Sequence, residues 1–236
     1  MISVLRALNL FIGLFLLAGE MHAQYVLGEK EVAVFAVGGA IYANHDEYNK
    51  VLTNNVFAKL NNWSANAGFE GVIPIKRIFI KLSMTGSNQE HFSEDNNYNW
   101  WGITCLGASV GYNLLKEGKV SIVPFVGVGG QFEKLRLNGI GRMVNPDGTT
   151  YDYQIEGDYA VRNLTGQLGF SSCYRIKLKP KTLSFLLGAQ AQYSRSFTSA
   201  LNEGHYGVRA WLPTLDFNGA SVGGVFALST LIGLSF

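Results

Sequence analysis

Histidine is the side chain in this sequence best suited to act as a base or a metal ligand, and the histidines lie far apart. His22 lies in an apolar N-terminal segment, whereas His45, His91 and His205 lie in three different polar stretches. A metal site or a catalytic histidine needs partners at defined spacing, and none of these residues has a second histidine or a cysteine beside it. We therefore interpret the last three as solvated loop residues and expect no catalytic residue, no metal site and no cofactor.

Two further patterns could bind ions or phosphates. Glu90, Glu94 and Asp95 surround His91 and could attract a cation, although exposed loops are ordinarily charged. The glycines within residues 127–130 are similar to a phosphate-binding run, but no helical pattern follows them, so the mechanism of such a loop is missing. We interpret the acidic residues as a charged loop and the glycines as strand residues that permit bending and close packing.

One pair of opposite charges has a physical reason to meet in the interior of the fold. Around Ile75 and Lys76 the sequence predicts a tight hairpin in which Glu70 lies directly opposite Lys81. A buried carboxylate without a partner costs several kcal/mol, so a facing ammonium is the expected compensation. Polar residues of other predicted strands are further candidates for the same interior, and they are Gln131, Glu133, Gln167, Arg175, Gln190 and Gln192.

The last sixteen residues, 221–236, contain the clearest structural signal in the chain. They alternate between a mostly apolar set and a mostly small set, and no charged residue occurs among them. Successive residues of a β-strand point to opposite faces, so this is a strand with one apolar side. Its simplest environment is lipid on that side and a packed barrel lumen on the other. The apolar set is Val222, Gly224, Phe226, Leu228, Thr230, Ile232, Leu234 and Phe236.

This terminal strand resembles the one that closes the small outer-membrane β-barrels of Gram-negative bacteria, the OmpA/OmpX-like group. In that group an alternating apolar strand that ends on phenylalanine is similar to the signal read by the barrel-assembly machinery. The matching residues here are Phe226, Leu228, Ile232, Leu234 and Phe236. The resemblance implies a location in the cell outer membrane, contact with outer-membrane lipid and lipopolysaccharide, and insertion by the barrel-assembly machinery.

The N-terminal segment predicts export. Residues 1–23 contain Arg6, an apolar run over residues 7–18 and a short segment that ends at Ala23. The apolar run is shorter than the roughly 20 residues that a spanning helix needs, which favours a cleaved signal peptide. Residues 24–236 then suit one barrel domain. The net charge of +2 gives no electrostatic reason to expect a nucleic-acid partner.

The mature sequence divides into alternating segments separated by short and long connectors in strict turn. Short periplasmic turns and long outer loops are typical of membrane barrels. We predict an all-β, eight-stranded antiparallel up-and-down transmembrane barrel with a lumen filled by side chains. The predicted strands are 31–44, 62–74, 77–87, 99–115, 119–137, 158–176, 182–198 and 218–236. The predicted long loops are 45–61, 88–98, 138–157 and 199–217.

The cysteines and aromatic residues have predicted positions in this barrel. Cys105 and Cys173 are assigned to the lumen at opposite depths, too far apart for a disulfide. The first strand is apolar on both faces and has no predicted orientation. Aromatic residues near strand ends are assigned to the two interfaces between lipid and water. The outer set is Tyr42, Trp63, Trp100, Trp101, Tyr159 and Tyr193, and the inner set is Tyr112, Tyr174 and Phe236.

The four long polar loops predict a surface-exposed structural or interaction protein that is not an enzyme and that has an unidentified extracellular ligand. A narrow, porin-like channel is an alternative, disfavoured because eight strands leave an interior just wide enough for side chains. A membrane-embedded lipid-modifying enzyme is a further alternative, but no Ser, His and Glu arrangement lies at a matching strand position. A soluble lipocalin-like barrel would have the inverse pattern, with large apolar residues inside and charged residues outside.

Overall fold

A computed structural model describes residues 32–54, 57–93, 97–115, 119–145, 147–178, 183–197 and 222–236, apart from the side chains of Asn54 and of residues 141–144. The strands are β1 (Ala33–Ala43), β2 (Trp63–Ile75), β3 (Ile78–Phe92), β4 (Tyr98–Tyr112), β5 (Val120–Val144), β6 (Thr150–Lys177), β7 (Ser184–Ser196) and β8 (Gly224–Ser235). A short helix, α1 (Asp46–Asn54), lies between β1 and β2. The predicted signal peptide, residues 1–23, and the predicted loop 199–217 lie outside the described residues.

The eight strands close into one antiparallel barrel. Each strand pairs with its neighbours in sequence, and β1 completes the ring by pairing with both β2 and β8. The predicted eight-stranded up-and-down barrel is therefore confirmed. Closure pairs the backbone groups of the barrel body between strands, as lipid requires. No helix in the described ranges is long and apolar enough to cross a membrane.

The outer surface of the barrel is an apolar band with charge above it. On β5 the outward residues Val126, Val128 and Phe132 are exposed by 67%, 59% and 41%. The next outward positions are Lys134 and Arg136, which mark the end of the band toward the outer loops. An apolar exterior bounded by charge is the surface of a barrel that faces lipid.

The terminal strand has the predicted orientation with one exception. Phe226 is half-buried on the outer face, and the other assembly-signal residues are exposed there: Leu228, Ile232, Leu234 and Phe236. Val222 was assigned to the same face, but it is buried. The alternation fails at Val222 because this residue precedes the first residue of β8, Gly224, and its N–H lies 3.1 Å from the lumen carboxylate of Glu133.

Two of the predicted interface aromatics face the interior instead. Tyr42 and Trp63 are exposed and pack edge to face, with ring centroids 5.3 Å apart. Trp101 and Tyr159, in contrast, are buried inside the barrel. Trp100 and Trp101 are adjacent, so a strand can turn only one of them toward lipid. The residues exposed as predicted also include Tyr193 at the outer end and Tyr112, Tyr174 and Phe236 at the inner end.

The β2–β3 hairpin has a different register from the predicted one. Glu70 lies opposite Ser83 and not opposite Lys81. The turn consists of Lys76 and Arg77, one residue later than predicted, and Lys76 adopts a left-handed conformation with φ 57°. Moving the turn by one residue shifts the pairing by two, so every side chain keeps its face. Glu70 and Lys81 therefore both remain on the lumen side, as diagonal neighbours.

β5 and β6 extend far beyond the other strands. They contain 25 and 28 residues, whereas the other six strands contain 11 to 15. Most of the predicted loop 138–157 is therefore strand. The predicted loop 88–98 is also shorter, because pairing continues to Phe92 and Tyr98. Both predictions made the strands too short at their outer ends. Above the lipid both faces of a strand can be polar, so apolar alternation no longer marks it as a strand.

Two apolar clusters fill the lumen, one toward each end. The inner cluster, near the short turns that are predicted to be periplasmic, includes Phe35 and Leu186, which orients β1 with Phe35 inward. The outer cluster includes Trp101, Leu135 and residues of α1. Between them lies a layer of buried polar side chains, which includes Asn66, Ser83, Ser109, Gln131, Asn163, Gln167 and Gln190.

The two cysteines are free thiols in different parts of the lumen. Cys105 packs against the outer cluster and Cys173 against the inner cluster. This is the predicted arrangement, in which the two thiols lie at opposite depths of the barrel.

Candidate functional site

The inner half of the lumen contains a buried ion pair. Lys81 Nζ lies 3.1 Å from Glu70 Oε2, and both side chains are almost fully buried. Lys81 also donates a 2.9 Å hydrogen bond to Gln190 and lies 3.5 Å from the ring centre of Phe125. Gln190 in turn donates to Gln192 at 3.1 Å. The ammonium thus has a carboxylate, an amide and an aromatic face around it, which compensate for its lost water.

A second network surrounds Glu133 in the outer half of the lumen. Gln131 Nε2 and Asn163 Nδ2 donate to Glu133 Oε1 at 2.8 and 3.3 Å. The N–H of Val222 and the hydroxyl of Tyr48 donate to Glu133 Oε2 at 3.1 and 2.8 Å. These donors come from β5, β6, α1 and the segment before β8, so the carboxylate joins distant parts of the chain.

The remaining predicted lumen residues line the interior at other heights. Gln167 is buried, and its amide lies 3.4 Å from the carbonyl oxygen of Leu106. Arg175 lies toward the end of the barrel with the short turns, where its Nε donates a 2.8 Å hydrogen bond to Ser184. All six additional lumen candidates therefore line the interior, and four of them belong to the two networks around Lys81 and Glu133.

The helix α1 fills the outer mouth of the barrel. Tyr48 and Leu52 lie one turn apart on its inner face and are buried in the outer cluster. Glu47 and Lys50 lie on the opposite face and form an exposed 2.9 Å ion pair. The sequence prediction treated residues 45–61 as a polar loop and missed this helix. The spacing of Tyr48 and Leu52 was the available signal, because residues four apart share a helix face.

His45 is buried at the start of this helical segment, which corrects the prediction of a solvated residue. Its ring packs edge to face on Trp101, with centroids 4.3 Å apart. It lies in a connector above the apolar band, where burial lowers its pKa to about 4. The backbone of Asn61 and the charge of Asp46 raise this pKa, and the nearby His91 lowers it, but burial dominates. The imidazole is therefore neutral at neutral pH.

The acidic stretch around His91 is only partly described. Glu90 is exposed, and His91 lies 3.0 Å from the side-chain oxygen of Gln89. Glu94 and Asp95 lie outside the described residues, as does His205. Within the described ranges, no three His, Cys, Asp or Glu side chains form a group that could hold a metal ion.

The glycines of β5 are packing residues. A Cβ atom at Gly127 would collide with the backbone of Ala108, and one at Gly129 would collide with the backbone of Leu106. Both neighbours lie on β4, so these glycines allow β4 and β5 to approach closely. This agrees with the interpretation of the glycine run as strand and not as a phosphate loop.

The outer part of the β5–β6 hairpin continues beyond its neighbours. β4 pairs with β5 only as far as Asn138, and β7 pairs with β6 only as far as Thr165. From Leu164 to Thr150, β5 is the sole strand neighbour of β6 among the described elements. We call this side of β6, from Gln154 to Arg162, the β6 edge.

Backbone hydrogen bonds identify the residues that point to the β6 edge. The N–H of Arg175 donates to Lys119 on the β5 side, whereas the carbonyl of Leu164 accepts from Phe197 on the β7 side. Hydrogen-bond direction alternates along an antiparallel strand, so even-numbered residues of β6 direct their backbone groups away from β5. In the β6 edge these residues are Gln154, Glu156, Asp158, Ala160 and Arg162.

Comparison with known proteins gives matches among solved structures only. No protein-family model and no curated protein matches the chain. A major outer membrane protein of Thermus thermophilus is similar with a TM-score of 0.48 and 12% identity, over 87% of this chain and 99% of that one. The attachment invasion locus protein Ail of Yersinia pestis, in complex with the heparin analogue sucrose octasulfate, is similar with a TM-score of 0.44 and 10% identity. The match covers 87% of this chain and 98% of that one. Neisserial surface protein A is similar with a TM-score of 0.41 and 12% identity, over 86% of this chain and 95% of that one.

The architecture itself defines the class of protein. A closed barrel of eight antiparallel strands, with an apolar outer band and a lumen filled by side chains, is a transmembrane β-barrel of the outer-membrane type. The fold is thus that of the small outer-membrane barrels that the terminal strand resembled.

Proposed function

We propose that this protein is a surface-exposed interaction module that binds an extended segment of an extracellular partner along the β6 edge. The observation that carries the proposal is the long β5–β6 hairpin. Its β6 part from Leu164 back to Thr150 pairs with β5 but not with β7. An exposed strand edge is a template for another strand. Addition of a strand to such an edge is a recurring mode of peptide recognition.

The side chains of the β6 edge suit a polar partner. Glu156, Asp158 and Arg162 are exposed on its outer face and carry both signs of charge. Ile155 and Val161 point the opposite way and are buried in the outer cluster. Backbone hydrogen bonds would supply affinity, and the charged outer face would select the side chains of the partner strand.

The filled lumen supports a binding role over a channel. α1, the Glu133 network and the Glu70–Lys81 pair occupy successive levels of the interior. We propose as well that the protein is not an enzyme. We expect no conductance in planar bilayers and no change in lipid A composition when the protein is expressed.

The test uses the barrel in lipid nanodiscs and a library of displayed peptides. Ala160→Pro removes an N–H from the β6 edge without removing a hydrogen bond between β5 and β6. Ala160→Val keeps the N–H and is the matched control. Peptides selected on the unaltered barrel should bind the valine variant equally and the proline variant about tenfold more weakly. Equal binding to all three proteins would contradict the proposal.

A further inference from the structure

Two charged residues of the β6 edge, Glu156 and Arg162, are exposed on its outer face and form no ion pair with any described residue. On the β5 side Glu156 lies opposite Asn138 and Arg162 lies opposite Phe132, so neither of them faces a charge across the hairpin. Arg162 follows Glu156 by six positions, which is about 20 Å along an extended strand. The β6 edge therefore presents one negative and one positive group to a strand that is added to it.

Asp158, which lies between these two residues, is already compensated by cations of β5. Its carboxylate lies 2.6 Å from Lys134 Nζ and 3.4 Å from Arg136 Nε. A further cation opposite Asp158 would meet these two cations as well as the carboxylate, so it would gain little. Selection of a partner by charge along the edge therefore depends on Glu156 and Arg162.

The geometry of an antiparallel ladder determines which side chains of a partner meet these charges. The even-numbered residues of the edge occupy hydrogen-bonded positions, where directly opposite side chains lie on the same face with Cβ atoms about 5 Å apart. An acidic residue opposite Arg162 and a basic residue opposite Glu156 would each form an ion pair on the outer face. Since the strands run in opposite directions, the acidic residue comes first in the partner. The position opposite the small side chain of Ala160 has room for an aromatic ring.

We infer that the partner of the β6 edge is an extended segment that pairs antiparallel to β6 and contains an acidic residue followed, six positions later, by lysine or arginine. This inference rests on the proposed function and adds to it the charge pattern and the direction of the partner strand. An antiparallel partner continues the arrangement of the eight strands and forms a slightly more stable ladder than a parallel one. A parallel partner would need the reverse order, with the basic residue first.

Two capped peptides of identical composition test the order of the charges. The first, Thr-Glu-Thr-Tyr-Thr-Ser-Thr-Lys-Thr, can place its glutamate opposite Arg162 and its lysine opposite Glu156, and the second exchanges the glutamate and the lysine. Fluorescence anisotropy measures binding of each labelled peptide to the complete barrel in lipid nanodiscs. We expect the first peptide to bind about tenfold more tightly, because two attractive pairs replace two repulsive ones. Equal binding, or tighter binding of the second peptide, would overturn the inference.

Reversal of both charges in the barrel gives the matched variant. The double substitution Glu156→Lys, Arg162→Glu keeps the net charge, and it should make the second peptide the tighter ligand by a similar factor. The control is Glu47→Lys, Lys50→Glu, which reverses an exposed ion pair on α1 and should leave the preference for the first peptide unchanged. A heat-dependent shift on gels checks that each variant is folded. An unchanged preference in the reversed β6 edge would show that Glu156 and Arg162 do not select the partner.

The variant Ala160→Pro separates failure of this inference from failure of the proposed function. If both peptides bind equally and both are weakened by Ala160→Pro, the strand edge is used but the inferred charge pattern is wrong. If neither peptide binds while peptides selected from the library bind through the edge, again only the inference fails. Peptide binding that Ala160→Pro leaves unchanged would remove the proposed function as well.

Discussion

Tyr48 and Glu133 are joined by a 2.8 Å hydrogen bond although 85 residues separate them in the sequence. Both side chains are buried, and the bond connects α1 to β5. It fixes the helix inside the outer mouth of the barrel. The side-chain amides of Gln131 and Asn163 and the N–H of Val222 donate to the same carboxylate. The closure of the outer mouth therefore depends on a contact between a helix, α1, and a strand, β5.

Removal of the Tyr48 hydroxyl should loosen α1 without unfolding the barrel. Tyr48→Phe keeps the edge-to-face contact with Tyr159, whose ring centroid is 6.1 Å away, but loses the hydrogen bond. The free energy of opening α1 should fall by about 2 kcal/mol, the contribution of a hydrogen bond to a charged group. Hydrogen exchange of the α1 amides measures it, with the exposed Tyr42→Phe as control. Equal exchange in the two variants would contradict this role of Tyr48.

The buried His45 should make the protein less stable in mild acid. Its pKa is about 4 in the folded protein and 6.5 in the unfolded chain, so the unfolded chain binds more protons between these values. Stability is therefore fully present above pH 6.5 and falls as the pH drops toward about 4, by about 3 kcal/mol at most. Urea unfolding from lipid vesicles at a series of pH values measures this loss.

His45→Phe isolates the histidine from other groups that titrate in the same range. The phenyl ring can keep the contact with Trp101 and cannot be protonated, so the loss of stability between pH 7 and about 4 should be smaller. His91→Gln should retain most of the loss seen in the unaltered protein, because burial and not the charge of His91 is the main cause of the lowered pKa of His45. An identical pH dependence for His45→Phe and the unaltered protein would show that His45 is not its source.

The Glu70–Lys81 pair should be coupled energetically. Lys81→Met leaves the carboxylate buried without its cation and should lower the free energy of unfolding by about 3 kcal/mol. Replacing Glu70 by Leu as well should cost much less, because the uncompensated charge and not the lost attraction dominates. A double-mutant cycle measured by urea unfolding gives the coupling. Additive losses would argue against an ion pair in the folded barrel.

The terminal phenylalanine should be required for efficient insertion. Phe236 is 59% exposed on the lipid-facing surface, so Phe236→Asp places a charge against lipid and removes the aromatic end of the predicted assembly signal. We expect much less heat-shiftable protein in the membrane fraction for this variant than for Phe236→Tyr, which keeps the ring. Equal amounts of the two variants would remove the role assigned to Phe236.

The sequence by itself determined the barrel because lipid imposes a simple pattern. A strand in lipid must be apolar at every second position. This alternation assigned Leu228 and Leu234 to the exterior and Gln190 to the lumen. The same alternation placed Glu70 and Lys81 on one face of the sheet, even though the predicted turn was one residue too early. Alternation and the order of connectors are local properties, so they can be recognised without any long-range contact.

Only the tertiary structure decided the register, the content of the outer mouth and the length of the β5–β6 hairpin. A shift of two residues leaves alternation unchanged, so the sequence could not distinguish Ser83 from Lys81 as the partner of Glu70. The burial of His45 depends on Trp101, and the position of α1 depends on Glu133, both far away in the chain. Above the lipid no apolar face is required, so only pairing between strands shows where β5 and β6 end.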